Sequence, residues 1–297
     1  MDIKREDSDL INQRFSRIFQ TPMHIDETNK TVTFDLPGFA IADFNRAGKL
    51  SFWSFMKYSE IIRQVVDFTV SDGQETFKVV AAQKLEIFPE LYAKAALVFP
   101  LKVLLRPGHF GKYSSSIFIE FKDAFSGNLY ARIQRQLVTI SAVTRRPVPA
   151  QPIAELQVGN YSAPNPDLTD QAKAQPIVVP KFTPSPEAMT YIFRACHSDS
   201  DNNYHTNQAS YFRLCCDAAA SACNEGKLKN FSGDFFRYDV SGAMLRYLGE
   251  SFPGDDLEVT LWESPVDLDS LFFHVLRLNK VIFSAKFSYY KPTTSKL

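Results

Sequence analysis

Asp199-Ser200-Asp201-Asn202-Asn203-Tyr204-His205-Thr206-Asn207-Gln208-Ala209-Ser210-Tyr211 sets two carboxylates, two carboxamides and an imidazole at alternating positions and then runs straight into a helical pattern. On an extended segment, alternation puts Asp199, Asp201, Asn203, His205 and Asn207 on one face. Five polar groups on one face make a poor core, because buried polar groups need partners. They make a reasonable site at a helix N-terminus, where unpaired N–H groups await an anion or a polarised carbonyl. From Gln208 to Asn224 the residues Tyr211, Leu214, Cys215, Ala218, Ala219 and Ala222 recur at helical spacing. Most of them are small, so a sheet can approach this helix closely. Asn224-Glu225-Gly226 supplies its stop.

The chain has 297 residues, 45% hydrophobic with 26 Phe, which is ample material for a packed core. Its 33 basic and 33 acidic residues give a formal net charge of zero with no basic stripe, which argues against a nucleic-acid partner. The charged start Met1-Asp-Ile-Lys-Arg-Glu-Asp lacks the apolar core of a signal peptide. No apolar run approaches the roughly 18 residues that span a bilayer. Cys196, Cys215, Cys216 and Cys223 do not form a disulfide framework, so small buried thiols in a reducing compartment are expected.

Nine prolines between Pro147 and Pro186 mark residues 146–186 as a linker between two halves, 1–145 and 187–297. The halves resemble one another. Asp43-Phe-Asn45-Arg-Ala47, with Trp53 six residues on, parallels Asp201-Asn-Asn203-Tyr-His205 with Tyr211 six residues on, at an offset of 158. A helix is expected over Ser51 to Asp67, with Phe52, Phe55, Met56, Ser59, Ile62 and Val66 on one side. Strands are expected at Ser116 to Phe121 and Leu129 to Val143, and again at Leu257 to Trp262 and Leu271 to Tyr290, the last broken near Asn279-Lys280. The excess length of the first half falls between Phe68 and Leu97. A strand, a long helix and several antiparallel strands, twice over, predict an α+β double hotdog: two repeats, each a long helix wrapped by a curved antiparallel sheet.

The segment Asp201-x-Asn203-x-His205-Thr206-Asn207-x-x-x-Tyr211 resembles the signature of acyl-ACP thioesterases and related hotdog thioesterases. Leu245-Arg-Tyr247-Leu-Gly-Glu250-Ser251 is similar to the family segment that carries a catalytic glutamate. Gln208 stands where the family has a second Asn, Ser251 stands in place of Cys, and the interval from His205 to Glu250 is longer than usual. The resemblance implies thioester hydrolysis by Asp201, Asn203, His205 and Glu250. Asp201 or Glu250 would be base or nucleophile, His205 would orient or share the proton, and Asn203 would hold the water or the carbonyl. The following helix would help stabilise the oxyanion. With Ala47 aligned to His205 and Lys49 to Asn207, the first copy lacks imidazole chemistry and one active site per chain is expected. Its Phe52-Trp53-Ser-Phe55-Met56 can line an acyl tunnel or simply fill the core.

His197, Asp199, Asp201 and His205 can in principle hold a metal, but the resemblance argues against it, and neither metal nor cofactor is expected. His109 reads as structural. The chain ends Ser295-Lys296-Leu297, a tripeptide read by the peroxisomal import receptor. That address favours acyl-CoA over an acyl-carrier substrate. A hotdog enoyl-CoA hydratase or dehydratase and a non-catalytic acyl-CoA binder are the competing readings. A monomer and a homodimer are both compatible with a chain that already contains two copies.

Overall fold

The computed structural model describes residues 23–26, 28, 31–68, 76–94, 100–149, 176–201 and 204–291. Most of the expected linker, Asn203 and the Ser295-Lys296-Leu297 tail lie outside them. The chain divides into two compact units: residues 1–39, 61–83 and 97–178 form the first, and 40–60, 84–96 and 179–297 the second. No helix among the described residues is long and apolar enough to cross a membrane.

The elements run β1 (His24–Asp26), β2 (Thr31–Leu36), a 3-10 turn (Ile41–Asp43), α1 (Phe52–Phe68), β3 (Thr76–Ile87), α2 (Pro89–Lys94), β4 (Leu101–Phe110), β5 (Ser114–Asp123) and β6 (Leu129–Ser141). There follow β7 (Met189–Arg194), a second 3-10 turn (His197–Asp199), α3 (Gln208–Asn224), a third (Phe235–Arg237), β8 (Val240–Tyr247), β9 (Asp256–Glu263), β10 (Ser270–Arg277) and β11 (Lys280–Tyr289). An antiparallel sheet with few helices makes this an α+β fold.

The first unit carries the strand order β1-β2-β4-β5-β6-β3. Alternating residues such as Val103, Leu105, Ile119, Phe121 and Ile133 are at most 2% exposed and form its core. On the sheet, buried Glu120 collects Arg106 from β4 at 2.7 Å, Lys122 at 3.0 Å and Arg132 from the facing β6 position at 3.2 Å. Burial pushes the Glu120 carboxyl up, but these three cations together hold it below the ordinary carboxylate range. The stretch expected to hold only surplus length contains β3. There Lys78 and Gln83 are buried, so polar side chains at interior positions hid the strand's alternation.

In the second unit the order is β8-β11-β10-β9-β7, antiparallel throughout. α3 has the bounds expected from its pattern, and all but one stripe of it is buried. Arg213, Asp217 and Ser221, four residues apart, make the half-buried line and are tied together by Arg213–Asp217 at 3.3 Å and Ser221 Oγ–H donating to the Asp217 carbonyl at 3.0 Å. Its buried face is alanine and cysteine around Phe212, whose ring stacks on Phe287 at 5.5 Å and meets Phe52 edge-on at 5.0 Å. Leu257, Val259, Leu261, Leu271, Phe273, Val275 and Phe283 supply the sheet's inward residues, all wholly buried.

Several boundaries differ from expectation. The long apolar stretch Leu271 to Tyr290 is two strands, and Leu278 and Asn279, at φ 51° and 60°, turn between them, one residue earlier than expected. β7 is the strand expected before the second long helix, to which no bounds had been given, and β8 had not been located. β7 is an edge strand whose alternate residues Thr190, Ile192 and Arg194 face solvent. Cys196 is exposed, whereas Cys215, Cys216 and Cys223 are buried as expected. Tyr290, just past the end of β11, is anchored by its hydroxyl donating to the Ile87 carbonyl at 2.9 Å. The end of the proline-rich segment is also packed: Phe182 lies against Phe272 on β10 with ring centroids 4.9 Å apart.

Candidate active site

The polar stretch before α3 is not an extended strand. His197–Asp199 turn as a 3-10 helix, Ser200 and Thr206 pair as an antiparallel bridge, and the chain between them reverses with Tyr204 at φ 60°. A reversal spends its polar side chains on its own backbone, which is why alternation misread the segment. The Asp201 N–H donates to the His205 carbonyl at 2.8 Å, and the His205 N–H donates to Asp201 Oδ1 at 3.2 Å. Asp201 therefore braces the loop that presents His205. Asn207 caps α3 by accepting the Ala209 N–H at 2.8 Å on its side chain and the Ser210 N–H at 2.9 Å on its carbonyl.

Asp199 anchors the loop to the helix. Its carboxylate accepts the Cys196 N–H at 3.0 Å and the Arg213 guanidinium at 2.7 Å. Burial raises the Asp199 carboxyl, but these two donors outweigh it and leave it below the ordinary carboxylate value. Asp199 and Asn207 thus tie the loop to the start of α3.

Glu250 arrives from 45 residues downstream in sequence. Gly249 lets the chain lie against β11, since a Cβ there would meet Ile282 at 2.8 Å, and the Leu248 and Gly249 N–H groups both donate to the Ile282 carbonyl. Next, Ser251 is stitched to Thr206. The Thr206 N–H donates to the Ser251 carbonyl at 2.8 Å, and Ser251 Oγ–H donates to Thr206 Oγ1 at 2.8 Å. The Tyr211 hydroxyl, 2.9 Å from Ser251 Oγ, completes a buried chain as donor, because the serine proton is already committed. Joining 206 to 251 brings their neighbours 205 and 250 together. His205 Nδ1 lies 3.7 Å from Glu250 Oε1, with the two side chains 25% and 39% exposed. Nδ1 faces the carboxylate, so Nε2 is the ring nitrogen left for a ligand.

The ring is buttressed from the side. Phe252 meets His205 edge-on at 5.1 Å, and the Arg277 guanidinium lies over Phe252 at 5.1 Å. Asp255 holds both, 2.6 Å from Arg277 Nε and accepting the Phe252 N–H at 2.7 Å. Phe252, Asp255 and Arg277 were missed in the sequence. Thr206 and Tyr211 stood in the motif without a role, and Ser251 was marked by standing at the position of a family cysteine. Ser251→Ala is expected to leave the Tyr211 and Thr206 oxygens buried without their partner. It should destabilise the protein by about 1–3 kcal/mol in chemical denaturation, and Ser251→Cys should recover part of the loss.

The repetition seen in the sequence holds at an offset of 156 rather than 158. The Asn45 N–H donates to the Lys49 carbonyl at 2.7 Å and the Lys49 N–H to Asn45 Oδ1 at 3.1 Å, matching Asp201 and His205. Ser51 N–H donates to the Asp43 carbonyl as Asn207 does to that of Asp199, and Asp43 Oδ2 accepts the Ala40 N–H as Asp199 Oδ2 accepts that of Cys196. Gly48, at φ 72°, stands where Tyr204 stands. Lys49, not Ala47, therefore occupies the histidine's place. The two-residue error arose from aligning side-chain types, whereas the turn is defined by its backbone bonds. Among the described residues, no group of three or more His, Cys, Asp or Glu side chains stands together as a metal ligand set.

No family model and no curated protein sequence matches the chain. Solved structures do. A protein assigned as an oleoyl thioesterase from Lactobacillus plantarum superposes with TM-score 0.67 at 15% identity, over 89% of this chain and 97% of that one. The 12:0-ACP thioesterase of Umbellularia californica gives 0.62 at 14% identity, over 89% of this chain and 98% of that one. An acyl-ACP thioesterase from Bacteroides thetaiotaomicron gives 0.61 at 14% identity, over 90% of this chain and all (100%) of that one. Fold likeness over nearly the full length of each, together with the antiparallel sheet and its long helices, gives this chain the α+β hotdog fold of these thioesterases.

Proposed function

We propose that the protein hydrolyses acyl thioesters at the His205–Glu250 pair, with acyl-CoA as the substrate. The observation that carries this reading is the approach of His205 Nδ1 to Glu250 Oε1 at 3.7 Å, held by the Thr206–Ser251 stitch. Glu250 orients the imidazole and stabilises it when charged, and Nε2 takes a proton from water. The water oxygen bonds to the thioester carbon, the tetrahedral intermediate collapses with cleavage of the C–S bond, and the thiolate receives the proton that the imidazole carried. Asn203, outside the described residues, is assigned to hold the carbonyl or the water by its carboxamide. Asp201 acts through the loop, by its bond to the His205 N–H.

The bond-for-bond repetition supports a double hotdog, with copies over 1–145 and 187–297 joined by 146–186. In it only the second copy carries a histidine at this position of the loop, giving one catalytic centre per chain. The terminal Ser295-Lys296-Leu297 supports peroxisomal import and hence CoA as the thiol carrier.

The test is incubation of the purified chain with saturated and 2-enoyl CoA thioesters, following free thiol and enoyl absorbance together. Thiol release is expected. Loss of enoyl absorbance without thiol would assign a hydratase instead, and neither signal would leave a binder. A tagged chain ending at residue 294 should stay in the cytosol, and its import would refute the address.

A further inference from the structure

The imidazole of the site is held by Glu250 less tightly than its role demands. His205 Nδ1 lies 3.7 Å from Glu250 Oε1, beyond the length of a hydrogen bond. Attraction at that range varies slowly as the ring turns, so it selects which ring edge faces the carboxylate without fixing the ring plane. A general base must aim Nε2 at the attacking water, and a small misplacement costs rate steeply. The plane is set by Phe252, whose ring meets the imidazole edge-on at 5.1 Å and 85°. Glu250 and Phe252 lie two residues apart and grip the same ring, with Ser251 between them tied to Thr206.

Phe252 in turn needs holding, because it stands outside any strand and is 37% exposed. Asp255 does this. Its Oδ2 accepts the Phe252 N–H at 2.7 Å, and its own N–H donates to the Phe252 carbonyl at 3.1 Å, closing the turn 252–255 on itself. Gly254, at φ 89°, allows that turn. The same Oδ2 lies 2.6 Å from Nε of Arg277, the last residue of β10, and the Arg277 guanidinium lies over the Phe252 ring at 5.1 Å. The turn is also fastened just past β7. The Gly254 N–H donates to the Ala195 carbonyl at 2.8 Å, and the Ala195 N–H to the Asp255 carbonyl at 2.9 Å. Asp255 and Arg277 are both partly exposed, and such pairs add little to stability. What this pair supplies is direction.

We propose that Asp255 is a positioning residue for His205, acting through the Phe252 ring and the Arg277 guanidinium. The proposal rests on the thioester reading above and deepens it. Asp255 takes no part in proton transfer; it fixes where Nε2 points.

The experiment joins thiol release from an acyl-CoA with magnetic resonance of the full chain carrying carbon-labelled histidine. The chain has five histidines, and the His205 signal is the one that His205→Ala deletes. An aromatic ring edge-on to the imidazole displaces that signal from the position of free histidine. Phe252→Leu should move it back, and Asp255→Ala should move it in the same direction while the other histidines stay. Both variants should lower kcat about tenfold with KM little changed, as expected for contacts that aim the base. Asp255→Asn should recover part of each loss, since a carboxamide oxygen still accepts the Phe252 N–H but holds Arg277 less tightly. Because Asp255 acts through the ring, adding Asp255→Ala to Phe252→Leu should cost nothing further. An unmoved His205 signal in Asp255→Ala, or losses that add in the double variant, overturns the proposal. Should Asp255→Ala not fold, Arg277→Met, which keeps the stem and drops the guanidinium, takes its place under the same two criteria. No thiol release by wild type, with the signal moved in Asp255→Ala, refutes the thioester reading and keeps Asp255 as the residue that orients the ring. Thiol release with the signal unmoved refutes the positioning alone.

Discussion

His205→Ala lowers kcat for thiol release by about a hundred- to ten-thousandfold, the range for losing a positioned general base, with little change in KM. The imidazole is a quarter exposed and its neighbours Glu250 and Phe252 are 39% and 37% exposed, so the substitution leaves the fold intact. Glu250→Gln keeps the size of the side chain but loses the charge that faces Nδ1. It should cost less than His205→Ala, because the carboxylate orients the ring instead of taking the proton. If the two act as one unit, the double variant is hardly slower than His205→Ala alone. Stopped thiol release under single-turnover conditions measures this step directly. Wild-type turnover in His205→Ala would remove the imidazole from the mechanism, and additive losses in the double variant would show that Glu250 acts elsewhere.

Phe212→Ala is expected to be the most damaging core substitution, destabilising the protein by about 3–5 kcal/mol. Phe212 is wholly buried and touches three rings, Phe52, Phe283 and Phe287. On its face of α3, Ala209, Cys215 and Cys216 are too short to fill the space that it vacates. The midpoint of urea unfolding should fall in proportion, with an unchanged slope if the denatured state is unaffected. A loss under 1 kcal/mol would mean that the surrounding rings collapse into the gap.

How much was legible depended on what each feature is made of. α3 was read with its bounds because its stop and its small buried face are local properties of the chain. β9, β10 and β11 were read to within a few residues because Leu, Val and Phe dominate their interior positions. β3 escaped because Lys78 and Gln83 sit buried inside it and interrupt its apolar alternation. The site motif drew attention to the right loop for a partly wrong reason. Its alternation suggested a flat polar face, whereas the bonds from Asp201 to His205 and from Asp199 to Cys196 fold it into a turn.

By itself, then, the sequence determined that a polar loop meets a helix of small residues under an antiparallel sheet, because propensity and apolar periodicity act over a few residues at a time. Only the tertiary structure decided that Glu250 stands beside His205. That contact depends on Ser251 reaching Thr206 across 45 residues of chain, through a hydroxyl bond that no spacing encodes. It decided also that Lys49 is the counterpart of His205, since the register of a repeat is kept by backbone hydrogen bonds while the side chains around them are free to change.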